Sequence, residues 1–434
     1  LEFRLSLHLS RSEFGARAAA VEALSRVLRR RLALDEALDL SALEDRDRAF
    51  ARLLVAGTLR RLGQIDDLLK HCLEHPLPAK AALAEDILRL GAAQLLFLDT
   101  PAHAAVDTAV NMTRAAGLSA HVKLVNAVLR RLSREGKAMA AAQDAPRLNT
   151  PDWLWNSWSG AYGEETCRAI AAAHLTEAPL DFTTKGDPAV WAEALEAELL
   201  PTGSLRRAPG GLVPALPGFD EGEWWVQDAA AAIPARLLGD VSGLSIADLC
   251  AAPGGKTAQL AAGGAHVIAL DRSVKRLEKL SANLTRLHLE AEPVVGDAGT
   301  WRPETLLDAV LLDAPCSATG TLRRHPEAAW LKRPEDVAKL AATQNRLLAA
   351  SVEMLKVGGK LVFCTCSLQP EEGLLPIETL LASGAPVRRL PIGAEEVGGL
   401  VELITPVGDL RCLPCHLSDK GGMDGFFAAR LERI

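Results

Sequence analysis

With 434 residues, 49% of them apolar and 24% charged, the chain has ordinary soluble composition and is too long for one core, so two or three domains are expected. No stretch reaches about 18 uncharged apolar residues, so none reads as a transmembrane helix. The net charge of −7 argues against a nucleic-acid binder, but residues 1–150 carry 22 Lys and Arg against 18 Asp and Glu, whereas the remainder carries 26 against 37.

The N-terminal segment, residues 1–14, has scattered charges and no uninterrupted apolar core, so it is not expected to be a secretory signal. Residues 16–140 then read as helices throughout. Val21, Leu24, Val27 and Leu28 share one helical face, as do Val122, Val125, Leu129 and Leu132. "HPLP" and "LDTPAH" mark breaks. The basic clusters "RVLRRR", "LRR" and "LRRLSRE" suit phosphates, or simply form solvated helix faces. Residues 138–150 have linker composition, and a small mixed segment follows to about residue 222. Its Trp153, Trp155 and Trp158 are expected to pack rather than to stack on bases.

From residue 223 the texture changes. "LSIADLC" (244–250), "HVIALD" (266–271), "EPVVGD" (292–297), "LDAVLLDAP" (307–315) and "KLVFCTCS" (360–367) are short apolar runs separated by helical or loop stretches. That alternation predicts a parallel sheet with helices on both faces. "DGFFAARL" (424–431) reads as an antiparallel edge strand. In such a sheet ligands bind beyond the strand carboxyl ends. Asp248 and Cys250, Asp271, Asp297, Asp313 and Cys366 all fall there. One such Asp alone would be read as a helix cap; five polar strand ends at one edge are not explained by capping.

The first crossover, "DLCAAPGGKTAQL", places Cys250, Ala251, Ala252, Pro253, Gly254, Gly255 and Lys256 in a turn that opens a helix. A P-loop would need Gly where Cys250 stands, and the Gly-x-Gly-x-x-Gly fingerprint is absent. What remains is a Gly-Gly turn with Asp271 placed to take ribose hydroxyls and Asp297 to approach an adenine amine. A nucleoside cofactor without a pyrophosphate fits, S-adenosyl-L-methionine being the leading candidate.

"LCAAPGGKT", "LLDAPCSATG" and "FCTCS", in this order, resemble the motifs of RNA 5-methylcytosine methyltransferases. "WWVQDAAAAIPARLL" and "GMDGFFAARL" extend the likeness to both ends of that catalytic domain. "RDRAFARLLVAGTLRR" and "LVNAVLRRLSREG" resemble, more loosely, the RNA-binding antitermination factor NusB. The combination is similar to bacterial 16S rRNA cytosine-C5 methyltransferases of the Sun/Fmu type. It implies a multidomain chain: an all-α NusB-like RNA-binding domain (1–140), a small α+β domain (141–222) and a C-terminal α/β Rossmann-like class I methyltransferase domain (223–434). It also implies ribosomal RNA or the assembling small subunit as partner. A cytoplasmic monomer with no membrane attachment is expected; tRNA, or a non-catalytic role in ribosome assembly, are the alternatives.

C5 of cytosine is a poor nucleophile; adding a thiolate at C6 makes C5 electron-rich. A free thiol is only a few per cent ionised at neutral pH, so a nearby positive charge would help, and Lys256 is a candidate. Asp313 is suited to stabilise charge on the ring at N3 or the exocyclic amine. Chemistry alone permits either Cys316 or Cys366 to attack. The resemblance assigns attack to Cys366, in Thr-Cys-Ser, and product release to Cys316, in Pro-Cys. Residues two apart on a strand point the same way, so Cys364 and Cys366 make a poor disulfide; Cys364 is expected in the core, and Cys316 is the useful partner of Cys366.

Arg323 or Arg324, in "TLRRHPEAAW", is a candidate for a phosphate or the target base, or lies in a surface loop. "CLPCH" (412–416) has no second CxxC, so no metal is expected and its thiols read as incidental loop residues. Cys72 and Cys167 read as small buried hydrophobes. Eight cysteines without a visible signal fit a reducing compartment.

Overall fold

The computed structural model describes residues 11–41 and 43–434. The reading of the N-terminal segment falls, for residues 1–10, outside the described residues. Two units emerge. One comprises residues up to 159 with 174–176 and 322–332; the other comprises 160–173, 177–321 and 333–434.

The first unit is helical. It contains α1 (Arg11–Arg30), α2 (Leu34–Ala37), α3 (Asp45–Arg60), α4 (Leu62–Cys72), α5 (Ala82–Leu96), α6 (Ala102–Ala115), α7 (Val122–Ala141) and α8 (Ala145–Leu148). The predicted apolar faces are its core. Val21, Leu24 and Val27 of α1 and Val125, Leu129 and Leu132 of α7 are fully buried, each worth on the order of 2 kcal/mol. Leu28 and Val122 lie half-buried at its margin. The segment predicted as a linker, 138–150, is partly helical: α7 runs to Ala141, and Asp144 caps α8 by accepting from Arg147 N. Cys72, read as a small buried hydrophobe, is half-buried and packs against this core.

Two helices follow, α9 (Asp152–Tyr162) and α10 (Glu164–Ala173). Trp155 and Trp158 are buried, as expected of packing residues, and Cys167 is fully buried.

The second unit holds two sheets. The smaller is antiparallel, in the order β2 (Glu198–Leu199), β3 (Leu205–Arg207), β1 (Leu180–Thr184), β4 (Trp224–Val226), with α11 (Ala189–Ala192) between β1 and β2. Asp181 and Arg206 face each other across β1 and β3. They form a buried bidentate pair at 2.7 and 2.6 Å. Asp181 also accepts from the Ala229 amide at 2.9 Å, at the start of α12 (Ala229–Arg236). One carboxylate thus ties the small sheet to the helix that leads into the larger one.

The larger sheet contains β5 (Ser245–Leu249), β6 (His266–Asp271), β7 (Glu292–Val295), β8 (Leu307–Asp313), β9 (Leu355–Thr365), β10 (Val387–Arg389), β11 (Leu410–Cys412) and β12 (Phe426–Arg433). Its order is β10-β12-β9-β8-β5-β6-β7, with β11 paired to β12. Strands β5 to β9 are parallel, as predicted. They are joined or flanked by α13 (Gly255–Ala262), α14 (Val274–Arg286), α15 (Ala328–Leu331), α16 (Pro334–Glu353) and α17 (Leu374–Ala382). Two corrections concern the last strands. β12 is antiparallel but not an edge: it lies between β9 and β10, because the three-residue β10 covers its outer side. β9 begins at Leu355 and ends at Thr365, so Cys366 sits just past the strand.

Candidate active site

The order of the larger sheet reverses at β5, whose neighbours are β6 and β8. Their carboxyl ends open the crevice where doubly wound sheets bind ligands. The turn after β5 is shaped for close approach. Gly254 has φ of +105° and precedes α13, and a Cβ there would meet Leu280 Cγ at 2.9 Å. Cys250 has φ of +62°, and burial first, then Asp313 and Asp271, push its thiol up to about 12. Its backbone, not its sulfur, shapes the turn. Asp271 ends β6, buried, accepting from Ser273 N at 2.9 Å and Ala252 N at 3.3 Å; Arg276 pairs with it at 3.0 Å. Beneath the turn, Asp248 is fully buried. Its Oδ2 accepts from Thr257 at 2.6 Å, and its Oδ1 has no hydrogen-bond partner. Burial pushes this carboxyl up to about 7.

Asp297 stands two residues past β7 and is exposed. Arg346 of α16 holds it through two bonds at 2.9 and 3.1 Å, and Gly299 N donates at 2.7 Å; these bonds keep its carboxyl below the usual range. Sequence alone held no sign of this arginine, which comes from a helix some fifty positions later.

The adjacent ends of β8 and β9 bring Asp313, Cys316, Cys364 and Cys366 together. Asp313 pairs in register with Cys364. Lys256 of α13 donates to Asp313 at 2.8 Å and lies 4.9 Å from the centre of the Phe426 ring. Burial opposes its charge, but Asp313, with Cys364 and Asp248, outweighs burial and holds the ammonium above its usual range. Lys256 therefore directs its charge at Asp313. Cys364 is fully buried, as expected of a core residue, and also donates to Asp313 at 3.6 Å.

Cys316 and Cys366, fifty residues apart in sequence, bring their sulfurs to 3.4 Å. The hydrogen bond it shares with Cys366, then burial and the charges of Cys366 and Glu372, push the Cys316 thiol well above its usual range, which favours the protonated form. Both loops close tightly: Gly320 N donates to Cys366 O at 3.0 Å, and a Cβ on Gly320 would fall 2.0 Å from Gly425 O. One buried acid, Glu372, lies behind both cysteine loops. "QPEEG" reads as a solvated turn, so nothing in the pattern singles it out.

Other candidates fall elsewhere. Arg323 is 1% exposed and belongs to the helical unit, so it is not a surface-loop residue; Arg60 donates to its carbonyl at 2.8 Å. Arg324 is exposed. Cys412 is fully buried on β11, a correction to its reading as a loop thiol, and Cys415 is half-buried. Among the described residues, no three His, Cys, Asp or Glu side chains are grouped to hold a metal ion.

The reversing sheet, the glycine turn and the cysteine pair define a class I methyltransferase with a two-cysteine centre. Residues 235–432 match the family described as 16S rRNA methyltransferase RsmB/F, and residues 15–134 match the NusB family. Ribosomal RNA small subunit methyltransferase B of Pseudomonas putida is 36% identical, over 96% of this chain and 98% of that protein. Its counterpart in Sodalis glossinidius is 34% identical, over 97% and 98%. The crystal structure of PH0851 superposes with a TM-score of 0.72 at 22% identity, over 96% of this chain and 98% of that one. That likeness shows the fold. The chain belongs to the RsmB/F family of 16S rRNA methyltransferases.

Proposed function

We propose that the protein methylates C5 of a cytosine in 16S rRNA, with S-adenosyl-L-methionine as donor, through a covalent bond between Cys366 and C6 of the base. The observation that carries this reading is the 3.4 Å approach of Cys316 and Cys366 at the ends of adjacent parallel strands, next to the Lys256–Asp313 pair. The names of the relatives, ribosomal RNA small subunit methyltransferase B, favour rRNA over tRNA and catalysis over a purely assembly role.

The turn from Cys250 to Lys256 and the carboxylates of Asp271 and Asp297 fit a nucleoside cofactor. The turn bends through Gly254 at a φ of +105°, and both acids stand at the same sheet edge as Asp313. When bound, the cofactor supplies an electrophilic methyl group. The chain's residues do the rest. The Cys366 thiolate bonds to C6, which leaves C5 electron-rich. Asp313, oriented by Lys256, is placed to hold the N3 or amine edge of the base as charge builds there. After methylation a base takes the C5 proton, its electron pair re-forms the C5–C6 double bond, and the C6–sulfur bond breaks to release the Cys366 thiolate. Cys316, its protonated form favoured 3.4 Å away, is the group positioned to assist that release. The basic helical unit is read as the RNA-holding part, and the reaction as a cytoplasmic one carried out by a monomer.

The test is trapping. Cys366→Ala should abolish both methyl transfer and any protein–RNA adduct, while Cys316→Ala should accumulate a stable adduct on denaturing gels. The opposite pattern would reverse the two roles.

A further inference from the structure

Glu372 is fully buried, and its hydrogen bonds run to the neighbours of the two cysteines. Its carboxylate accepts from Ser317 N at 2.8 Å, from Ser317 Oγ, from Ser367 Oγ at 2.6 Å and from Gln344 Nε2 at 3.4 Å. Its own carbonyl accepts from Thr365 Oγ1 at 2.7 Å. The residues on both sides of Cys366 and the residue just after Cys316 are thus tied to one side chain and its backbone. Gln344 adds a brace on the residue before Cys316, donating to Pro315 O at 2.9 Å. The two serine hydroxyls lie 3.1 Å apart, and Thr319 Oγ1, 3.3 Å from Ser367 Oγ, accepts from Leu368 N at 3.0 Å.

We infer that Glu372 is the positioning residue that holds the two active-site cysteines in register. This rests on the two-cysteine reading proposed above. A buried carboxyl with four donors is costly unless every donor stays in place, so the network has one favoured geometry. That geometry fixes the loop after β8 against the loop after β9. The Glu372 bonds run to the residues that flank the cysteines, while the two sulfurs bond each other at 3.4 Å. Burial pushes the Glu372 carboxyl up, and the serine and glutamine donors offset only part of that rise.

The clamp predicts a separable effect. In full-length protein, Glu372→Ala should slow single-turnover methyl transfer to a 16S rRNA transcript about 100-fold, as a misplacement near 1 Å does, with the Kd for S-adenosyl-L-methionine within about threefold of wild type. Glu372→Gln keeps an acceptor for Ser317 N and can donate to the serine hydroxyls. It should recover at least about tenfold of the lost rate. A second readout needs neither RNA nor cofactor. Diamide takes up the two thiol hydrogens as the Cys316–Cys366 disulfide forms, and mass spectrometry follows the loss of two hydrogens. Closure should slow at least about tenfold in Glu372→Ala and recover in Glu372→Gln.

If Glu372→Ala does not fold, Ser367→Ala serves in its place. It removes one arm without uncovering a charge and should slow closure about threefold or more. Closure that is unchanged in the folded variants overturns the inference. So does a loss of rate that tracks a parallel loss of cofactor affinity in Glu372→Ala and Glu372→Gln alike. Should Cys366→Ala retain methyl transfer while closure still depends on Glu372, the clamp stands and the catalytic assignment of Cys366 falls.

Discussion

The helical unit and the sheet unit both bury polar side chains, but they use them differently. In the helical unit, Thr58 and Thr113 donate to the carbonyls one turn back, at 2.7 Å each, and Asp86 sits between Arg29 and Arg89. The two threonines are satisfied within their own helices, and Asp86 by one arginine of α1 and one of its own helix; these bonds build structure. In the sheet unit, Asp248, Lys256, Asp313, Cys316, Cys364 and Glu372 reach one sheet edge from six separate elements or loops. They lean on one another rather than on their own helix or strand. Several polar groups converging on one sheet edge mark chemistry better than burial alone does.

The comparison breaks hardest at Lys256. Asp313→Ala leaves a buried ammonium without its carboxylate and should cost about 3 kcal/mol, measured by denaturant unfolding of the sheet unit. Lys256→Met should cost less, because the Asp313 side chain is 33% exposed against 9% for Lys256 and can turn to water. Equal costs would mean that the pair behaves as a surface bridge.

The two units should also answer pH in opposite senses. Asp248 rises from 3.8 to about 7 on folding, so its contribution is full below pH 3.8 and is lost as pH climbs through 7. His174, in the helical unit, is buried beside Trp158 with neither ring nitrogen hydrogen-bonded, and burial lowers it from 6.5 to about 3. Its contribution is present above pH 6.5 and is lost as pH falls toward 3. Each effect amounts to a few kcal/mol at most, since a tenfold change in proton affinity is worth about 1.4 kcal/mol. Hydrogen exchange read separately in each unit should show Asp248→Asn flattening one pH dependence and His174→Leu the other.

The smallest effect belongs to Arg346→Ala. It removes an exposed pair with Asp297 and should change stability by about 0.5 kcal/mol or less. Its use is diagnostic: the Asp297 carboxyl should rise toward its ordinary value, readable by NMR titration.

Much of the site could be read before any coordinates. Asp313, Cys316 and Cys366 follow apolar runs of one texture, so a parallel sheet brings their ends together. The Gly254 turn announces itself because two other glycine fingerprints fail there. Glu372 was illegible for a physical reason: it lies in a single 3-10 turn, which has no periodicity to separate the exposed Glu371 from the buried Glu372. Arg346 and Gln344 sit on a helix whose polar face looks uniformly solvated. β10 and β11, three residues each, are too short to alternate. Arg323 was misleading because an arginine pair in a turn reads as surface, while tertiary packing buries only the first.

The path of the chain through residues 322–332 bears on heredity and handling alike. This stretch begins five residues after Ser317 but belongs to the helical unit, where Trp330 donates to Leu59 O at 2.9 Å and Glu327 accepts from Leu34 N at 3.4 Å. The polypeptide leaves one unit and re-enters it more than a hundred residues later. No single protease nick and no gene split at one point can deliver both units whole. Shuffling of this family by simple exchange of its front and back halves would leave the helical half missing a piece that the other half encodes.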